Sequence, residues 1–205
     1  MIDRFALKLL APVTDAIATL LAARGLGANG VTLAGFGFGL VAAALIGFGY
    51  TWAAILPLLV NRMLDGLDGA LARLSKATDR GAFLDTVLDF LFYAAVPLAF
   101  AFCDPDRNAL AAAVLLAAFL GTGTSFLAFA IIAEKRGLKS TAYPSKSFYY
   151  LSGLTEGGET ILCFLAMCLW PQAFAAIAYI YAAMCAVTTV TRLAAGWNIF
   201  GAGGR

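Results

Sequence analysis

The fold of this chain is limited most strongly by a series of apolar stretches that are candidates for helices crossing a bilayer. A transmembrane helix needs about 20 mostly apolar residues. Six such stretches occur, at residues 31–48, 51–74, 82–102, 109–133, 156–170 and 174–200. Hydrophobic residues make up 62% of the chain and charged residues only 13%, against about a quarter charged in soluble domains. The sequence therefore predicts an all-α membrane protein with six transmembrane helices.

The first 25 residues have a different pattern. Apolar residues recur at roughly helical spacing over residues 2–24, and charged side chains interrupt them, among them Arg4, Lys8, Asp15 and Arg24. This pattern is typical of an amphipathic helix that lies in the membrane interface. We therefore expect an interfacial helix over residues 1–25 and one transmembrane domain over residues 26–205.

Lysine and arginine are concentrated on one side of the predicted bundle. The connections at 75–80 and 134–155 are rich in these residues, whereas the opposite connections contain only Arg107. Because positively charged loops stay in the cytoplasm, we expect both termini to be cytoplasmic, together with the ends of the second and third predicted helices that meet at the 75–80 connection. The protein is expected to lie in the cell inner membrane.

Four aspartates interrupt the second and third predicted transmembrane helices. Asp65 and Asp68 are three residues apart and Asp85 and Asp89 four apart, so each pair shares one helix face. The short connection between these helices makes them antiparallel neighbours. Four carboxylates in apolar surroundings repel one another unless they are protonated or bind a cation. Oxygen-only ligands favour Mg²⁺ or Mn²⁺, so the sequence predicts either partly protonated carboxylates or a divalent ion of this kind between them.

Other polar side chains are candidates for binding a ligand. They are Lys135, Arg136, Lys139, Lys146, Glu156, Glu159 and Arg192. The four in the 134–155 connection could bind an anionic ligand, such as a sugar phosphate or a lipid head group, or only reflect the cytoplasmic charge bias. The glutamates could bind a cationic or polyol ligand, or only favour a helix N-terminus. The arginine could bind a phosphate group or pair with an aspartate, and Arg62 is expected to pair within the bundle.

The aspartates also belong to a longer pattern, which resembles the signature of the CDP-alcohol phosphotransferases, membrane enzymes that make phospholipid head groups. That family's pattern is D-x-x-D-G-x-x-A-R, a spacer, and then G-x-x-x-D-x-x-x-D. It is met here by Asp65, Asp68, Gly69, Ala72, Arg73, Gly81, Asp85 and Asp89. The spacer holds seven residues, one fewer than the usual pattern.

The resemblance implies a role for each of these residues. Asp65, Asp68 and Asp85 would be metal ligands, and Asp89 would be the general base with a share in a second ion. The CDP moiety would bind at Asp68, Gly69, Ala72, Arg73 and Gly81. The segment 27–32 is similar to the family's Pro-Asn-x-x-Thr, with Ala28 in place of the proline, which adds Asn29 and Thr32 to the CDP-binding set. The family also implies a homodimer.

The expected function is therefore transfer of a phosphatidyl-type group from a CDP-alcohol, with CDP-diacylglycerol as the expected donor, to an acceptor hydroxyl with release of CMP. Glycerol phosphate, inositol phosphate, serine and phosphatidylglycerol remain alternatives for the acceptor. The expected partners are these substrates and the bilayer, and not nucleic acid. A divalent-cation transporter is the alternative, but the first, fourth and sixth predicted helices offer it almost no acids. A non-catalytic scaffold does not explain four costly carboxylates.

Overall fold

The computed structural model describes residues 2–75, 77–138 and 153–201, with side chains from residue 13 onward. These residues contain seven α-helices, one 3-10 turn at Pro171–Ala173 and no strand, so the predicted all-α class is confirmed. The helices are α1 (Ile2–Ala23), α2 (Ala28–Gly47), α3 (Thr51–Ser75), α4 (Asp79–Cys103), α5 (Pro105–Lys135), α6 (Gly157–Leu169) and α7 (Phe174–Gly201). From α2 onward their ends agree with the six predicted segments to within a few residues.

Local sequence signals account for several helix ends. Thr78 caps α4, because its side chain accepts a hydrogen bond from the Gly81 backbone N–H at 3.1 Å. Asp104 caps α5 in the same way, and Pro105 occupies the first helical position, where its missing N–H has no helical partner to lose. Gly49 follows α2 with φ of +84°, a backbone conformation that glycine adopts readily.

The six-span count is not confirmed. Four helices of the described chain are long and apolar enough to cross a membrane, namely α2, α4, α5 and α7 with its preceding turn. The α6 helix has only 13 residues and therefore rises about 20 Å, less than the roughly 30 Å of a hydrocarbon core. The α3 helix is long, but its second half carries two arginines and two aspartates.

The α2 helix packs along both α3 and α4, whereas α3 and α4 make little backbone contact with each other in the described residues. Small residues on α2 make this close approach possible. A Cβ atom on Gly35 would lie 3.2 Å from Leu64 Cβ of α3, and one on Gly39 would lie 2.6 Å from Phe92 Cδ2 of α4. The acidic faces of α3 and α4 meet through side chains rather than through close backbone contact, while α2 packs along both helices and a cleft remains between the carboxylates.

Aromatic side chains fill the core from the edge of this cleft onward. Phe92, Phe100, Phe164 and Phe174 are each at most 1% exposed. The Phe100 and Phe174 rings stack with centroids 4.5 Å apart, and Phe92 meets Phe164 edge to face at 6.1 Å. In lipid, close packing rather than removal from water holds helices together. These contacts therefore fix α4 against α6 and α7.

The α1 helix lies against α3 through small side chains. Ala18 is fully buried and belongs to a cluster with Val31, Leu67, Ala70 and Leu71. Larger apolar residues of α1 remain exposed, among them Val13, Ile17 and Leu20. The helix is therefore present as predicted, with an apolar surface that the bundle does not cover.

Candidate active site

Three of the four predicted aspartates form a compact cluster. They are Asp65 of α3 and Asp85 and Asp89 of α4. One carboxylate oxygen from each of them lies within 4.8 Å of the other two. Asp68 lines the same cleft and is only 6% exposed. The i+3 and i+4 spacings thus bring all four side chains to one cleft, and Asp68 lies deeper than the others.

The cleft is small. It is lined by Thr32, Gly35, Phe36, Asn61, Asp65, Asp68, Asp85, Leu88, Asp89 and Phe92, and its volume is about 20 Å³. A single water molecule needs roughly 10–15 Å³. The space between the carboxylates therefore fits an ion but cannot hold a nucleotide, which would have to lie outside it.

The donor set fits a hard divalent cation. Among the described residues, Asp68 Oδ2 and Asn61 Oδ1 are buried without a hydrogen-bond partner, an arrangement that costs free energy unless a ligand or ion satisfies it. The Asn61 amide nitrogen donates to the Gly35 carbonyl at 2.9 Å, which fixes its oxygen atom within the cleft. Thr32 lies within hydrogen-bonding range of the Asp68 carboxyl group. The atoms that these side chains offer to an ion are carboxylate and amide oxygens, as Mg²⁺ and Mn²⁺ prefer.

Arg62 pairs within the bundle as expected, and its partners are the aspartates themselves. Its guanidinium forms an ion pair with Asp65 and lies 3.6 Å from Asp89 Oδ1. The Nη1 atom donates to the Tyr93 hydroxyl at 3.0 Å. Tyr93 is not among the site residues predicted from the sequence. Its position four residues after Asp89 could have placed it on the acidic face of α4.

The other predicted CDP-binding residues lie outside the lining of this cleft. Gly69, Ala72 and Arg73 continue along α3, where Arg73 is exposed and pairs with Asp15 of α1 at 3.5 Å. Gly81 lies against the start of α2, since a Cβ atom there would be 2.9 Å from Asn29 Oδ1. The starts of α2 and α4 therefore lie close together at this point.

The predicted acceptor residues are not part of the cleft lining either. Lys135 and Arg136 are exposed at the end of α5, and Arg136 lies over the Phe200 ring at 5.3 Å. Arg192 is 7% exposed, donates to the Thr122 carbonyl at 3.0 Å and lies over Phe126. Lys139 and Lys146 fall outside the described residues.

The two glutamates lie at the start of α6. Glu156 is 5% exposed, occupies the position before the first helical residue, and accepts a hydrogen bond from the Gly153 backbone N–H at 3.2 Å. Glu159 is in the first turn. Both positions favour an acidic residue through the helix dipole, so their placement agrees with the helix-terminus alternative.

The entry to α6 is tied to α7 by a buried threonine pair. Thr155 donates to Thr188 Oγ1 through its backbone N–H at 3.2 Å and its hydroxyl at 3.0 Å.

Replacing Thr188 with valine removes this acceptor, and we expect the free energy of unfolding to fall by about 1–3 kcal/mol. Thermal unfolding of the variant and of wild type in detergent measures this loss of stability. The matched change Thr191→Val, at an exposed position of the same helix, should have little effect, and equal melting of both variants would contradict the role of the pair.

The fold and the acidic cleft define a class of metal-binding membrane enzyme, and comparison with known proteins identifies the family. The family model for CDP-alcohol phosphatidyltransferase matches residues 26–191, and the chain belongs to this family. It is 49% identical over 197 residues to the inner membrane protein YnjF of Escherichia coli (strain K12), with 96% of each chain covered.

Solved structures of phosphatidylinositol phosphate synthase PgsA1 from Mycobacterium tuberculosis share the fold. The crystal structure with CDP-DAG bound has a TM-score of 0.73 and 25% identity, covering 91% of this chain and 94% of that one. The structure in complex with manganese and citrate has a TM-score of 0.70 and 24% identity, covering 90% and 88%. Together, the family and these neighbours support a phospholipid-synthesis transferase, and YnjF and the apolar helices support an integral inner membrane protein.

Proposed function

We propose that this protein transfers a phosphatidyl group from CDP-diacylglycerol to the hydroxyl group of a small or lipid acceptor and releases CMP. The observation that carries the proposal is the acidic cleft, where three carboxylates can share one cation within a family whose members act on CDP-alcohols. The PgsA1 structure that contains CDP-DAG supports the choice of donor.

Asp89 is the proposed general base. The acceptor oxygen forms a bond to the phosphorus atom next to diacylglycerol, the bond from that phosphorus to the CMP oxygen breaks, and the hydroxyl proton passes to the Asp89 carboxylate. A hydroxyl group is a poor nucleophile until a base takes its proton. Asp89 is half-buried, so its carboxylate is accessible to an acceptor hydroxyl.

Asp65, Asp68 and Asp85 are the proposed ligands of Mg²⁺ or Mn²⁺, with Asp89 sharing a second ion. The cation would neutralise the negative charge of the diphosphate and of the departing CMP. Asn61 completes the oxygen set through its buried Oδ1 atom. Since the cleft has room only for ions, the cytidine would lie beyond it.

The nucleotide is proposed to lie along the part of α3 that follows Asp68. Gly69 and Ala72 leave space beside the helix there, and Arg73 can pair with a phosphate group. Asn29 and Gly81 would border the same region from the starts of α2 and α4. The diacylglycerol chains would remain in the bilayer.

The acceptor is proposed to approach from the side of α5, α6 and α7. Lys135, Arg136 and Arg192 supply positive charge for an acceptor that carries phosphate, and Lys139 and Lys146 would add to it from outside the described residues. Glu156 and Glu159 would suit a hydroxyl-rich acceptor. Glycerol phosphate, inositol phosphate, serine and phosphatidylglycerol all remain candidates.

The proposed membrane arrangement follows the charge distribution. The cleft and both termini would face the cytoplasm, residues 1–25 would lie in the interface, and residues 26–205 would form the transmembrane domain with α3 and α6 completing six spans. A homodimer is proposed from the family alone.

The deciding experiment measures CMP release from labelled CDP-diacylglycerol by the purified protein with Mg²⁺ or Mn²⁺ and each acceptor in turn. We expect release that requires both an acceptor and the divalent ion and that stops on chelation. The variant Asp106→Asn, an exposed acid in the first turn of α5, should behave like wild type. Release that persists with chelator, or Mn²⁺ flux into proteoliposomes with no CMP release for any acceptor, would overturn the proposal.

A further inference from the structure

We propose that Arg62 is a built-in counter-cation that competes with divalent ions for Asp65 and Asp89 and thereby sets the metal affinity of the cleft. This inference rests on the proposed function, because it concerns the same carboxylates. It assigns a purpose to a charged side chain that the chemistry of the reaction leaves unused.

The position of Arg62 is that of a cation within the cluster. Its side chain is 18% exposed, and the Nη2 atom reaches carboxylates on two helices, Asp65 of α3 and Asp89 of α4. These two aspartates also belong to the trio whose oxygens lie within 4.8 Å of one another. A guanidinium remains charged under all ordinary conditions, so it neutralises part of the cluster whether or not an ion is bound.

Tyr93 holds the guanidinium in this place. Its hydroxyl accepts a hydrogen bond from Arg62 Nη1 at 3.0 Å. The Tyr93 ring in turn packs among Phe92, Phe119 and Phe164, with centroids 5.6–6.5 Å away. The guanidinium therefore spans α3 and α4 in a fixed orientation rather than lying loosely over the acids.

Two consequences follow from this arrangement. The paired guanidinium lowers the mutual repulsion of the carboxylates, so the cleft can remain assembled without metal. A divalent ion that enters must share oxygens already paired with Arg62, and it meets a positive charge at close range. Both effects weaken ion binding relative to the same cluster without the arginine.

An alternative role for Arg62 makes the opposite prediction. If Arg62 only clamps α3 to α4, its removal should loosen the cluster, and divalent ions should bind more weakly. If Arg62 is a competing cation, its removal should tighten ion binding even though the metal-free protein becomes less stable. The direction of the change in affinity therefore separates the two.

The test measures Mn²⁺ binding to the purified protein by electron paramagnetic resonance of the free ion, without substrate. Arg62→Gln is expected to lower the Kd for Mn²⁺ about tenfold, within the usual range of coupling between two bound groups. Arg62→Lys keeps the charge and should restore a Kd close to that of wild type. The control Arg107→Gln, which removes an exposed arginine beside Asp104, should leave the Kd unchanged.

Tyr93→Phe provides a second, milder variant in case Arg62→Gln does not fold. It removes only the hydroxyl that orients the guanidinium, and we expect Mn²⁺ to bind more tightly, by about threefold. An unchanged or weaker affinity in Tyr93→Phe, or in a folded Arg62→Gln, overturns the inference while the metal site stands. A wild-type protein that binds no Mn²⁺ would instead refute the metal site of the proposed function, and this inference with it.

Discussion

Replacing Asp89 with asparagine is expected to lower the rate of CMP release by about 10²–10⁴-fold, the usual contribution of a general base. The amide keeps the size of the carboxylate but cannot take the acceptor's proton. Asp65, Asp68 and Asp85 remain in this variant, so the protein should still bind at least one divalent ion. Steady-state CMP release and Mn²⁺ binding, measured on the same preparation, test the two halves of this prediction.

Asp85→Asn is the matched comparison, because Asp85 lies one turn earlier on the same face of α4. As a proposed metal ligand it should lose Mn²⁺ binding as well as activity. If both variants lose Mn²⁺ binding equally, Asp89 is a ligand rather than a base. If Asp89→Asn retains the wild-type rate, the assignment of the base is wrong.

Replacing Gly39 with alanine is expected to destabilise the protein by about 1–3 kcal/mol, the usual cost of overfilling a packed core. The added Cβ would lie 2.6 Å from Phe92 Cδ2 and 3.2 Å from Asn61 Nδ2. Phe92 is only 1% exposed and is backed by Phe164, so it cannot easily move away. Since Phe92 and Asn61 both line the cleft, Mn²⁺ affinity should fall together with the melting temperature.

Gly37→Ala is the control for this substitution. Gly37 lies in the same helix, but a Cβ atom there would meet nothing within 4 Å. Alanine also has the higher helix propensity, so this variant should melt at or slightly above the temperature of wild type in detergent. Coincident melting curves for the two variants would show that the contact between α2 and α4 is less tight than described.

The sequence predicted the helices and the acidic faces well, because each depends on local spacing. Apolar runs set helix length, and the i+3 and i+4 intervals alone place Asp65 with Asp68 and Asp85 with Asp89 on one face. The position of α2 between α3 and α4 could not be predicted in this way. Glycines such as Gly35 and Gly39 indicate that another helix packs closely, but they do not show which helix it is.

Long-range polar contacts were equally inaccessible to sequence reasoning. Arg62 and Tyr93 are 31 residues apart along the chain, and no local pattern pairs them. The predicted count of six transmembrane helices was not confirmed for a different reason. Apolar content alone did not weigh the charges in the second half of α3, nor the shortness of the fifth predicted segment, residues 156–170, which α6 matches closely.

The arrangement of the first three membrane helices has a consequence for how this site could change. The carboxylate pairs stand on two helices whose distance is governed by a third, and that third helix carries no acidic residue at all. The size of the side chains along α2 therefore sets the distance between the carboxylates of α3 and those of α4, and with it the space for an ion. A preference for a smaller or larger cation can shift through substitutions there while every ligand stays the same.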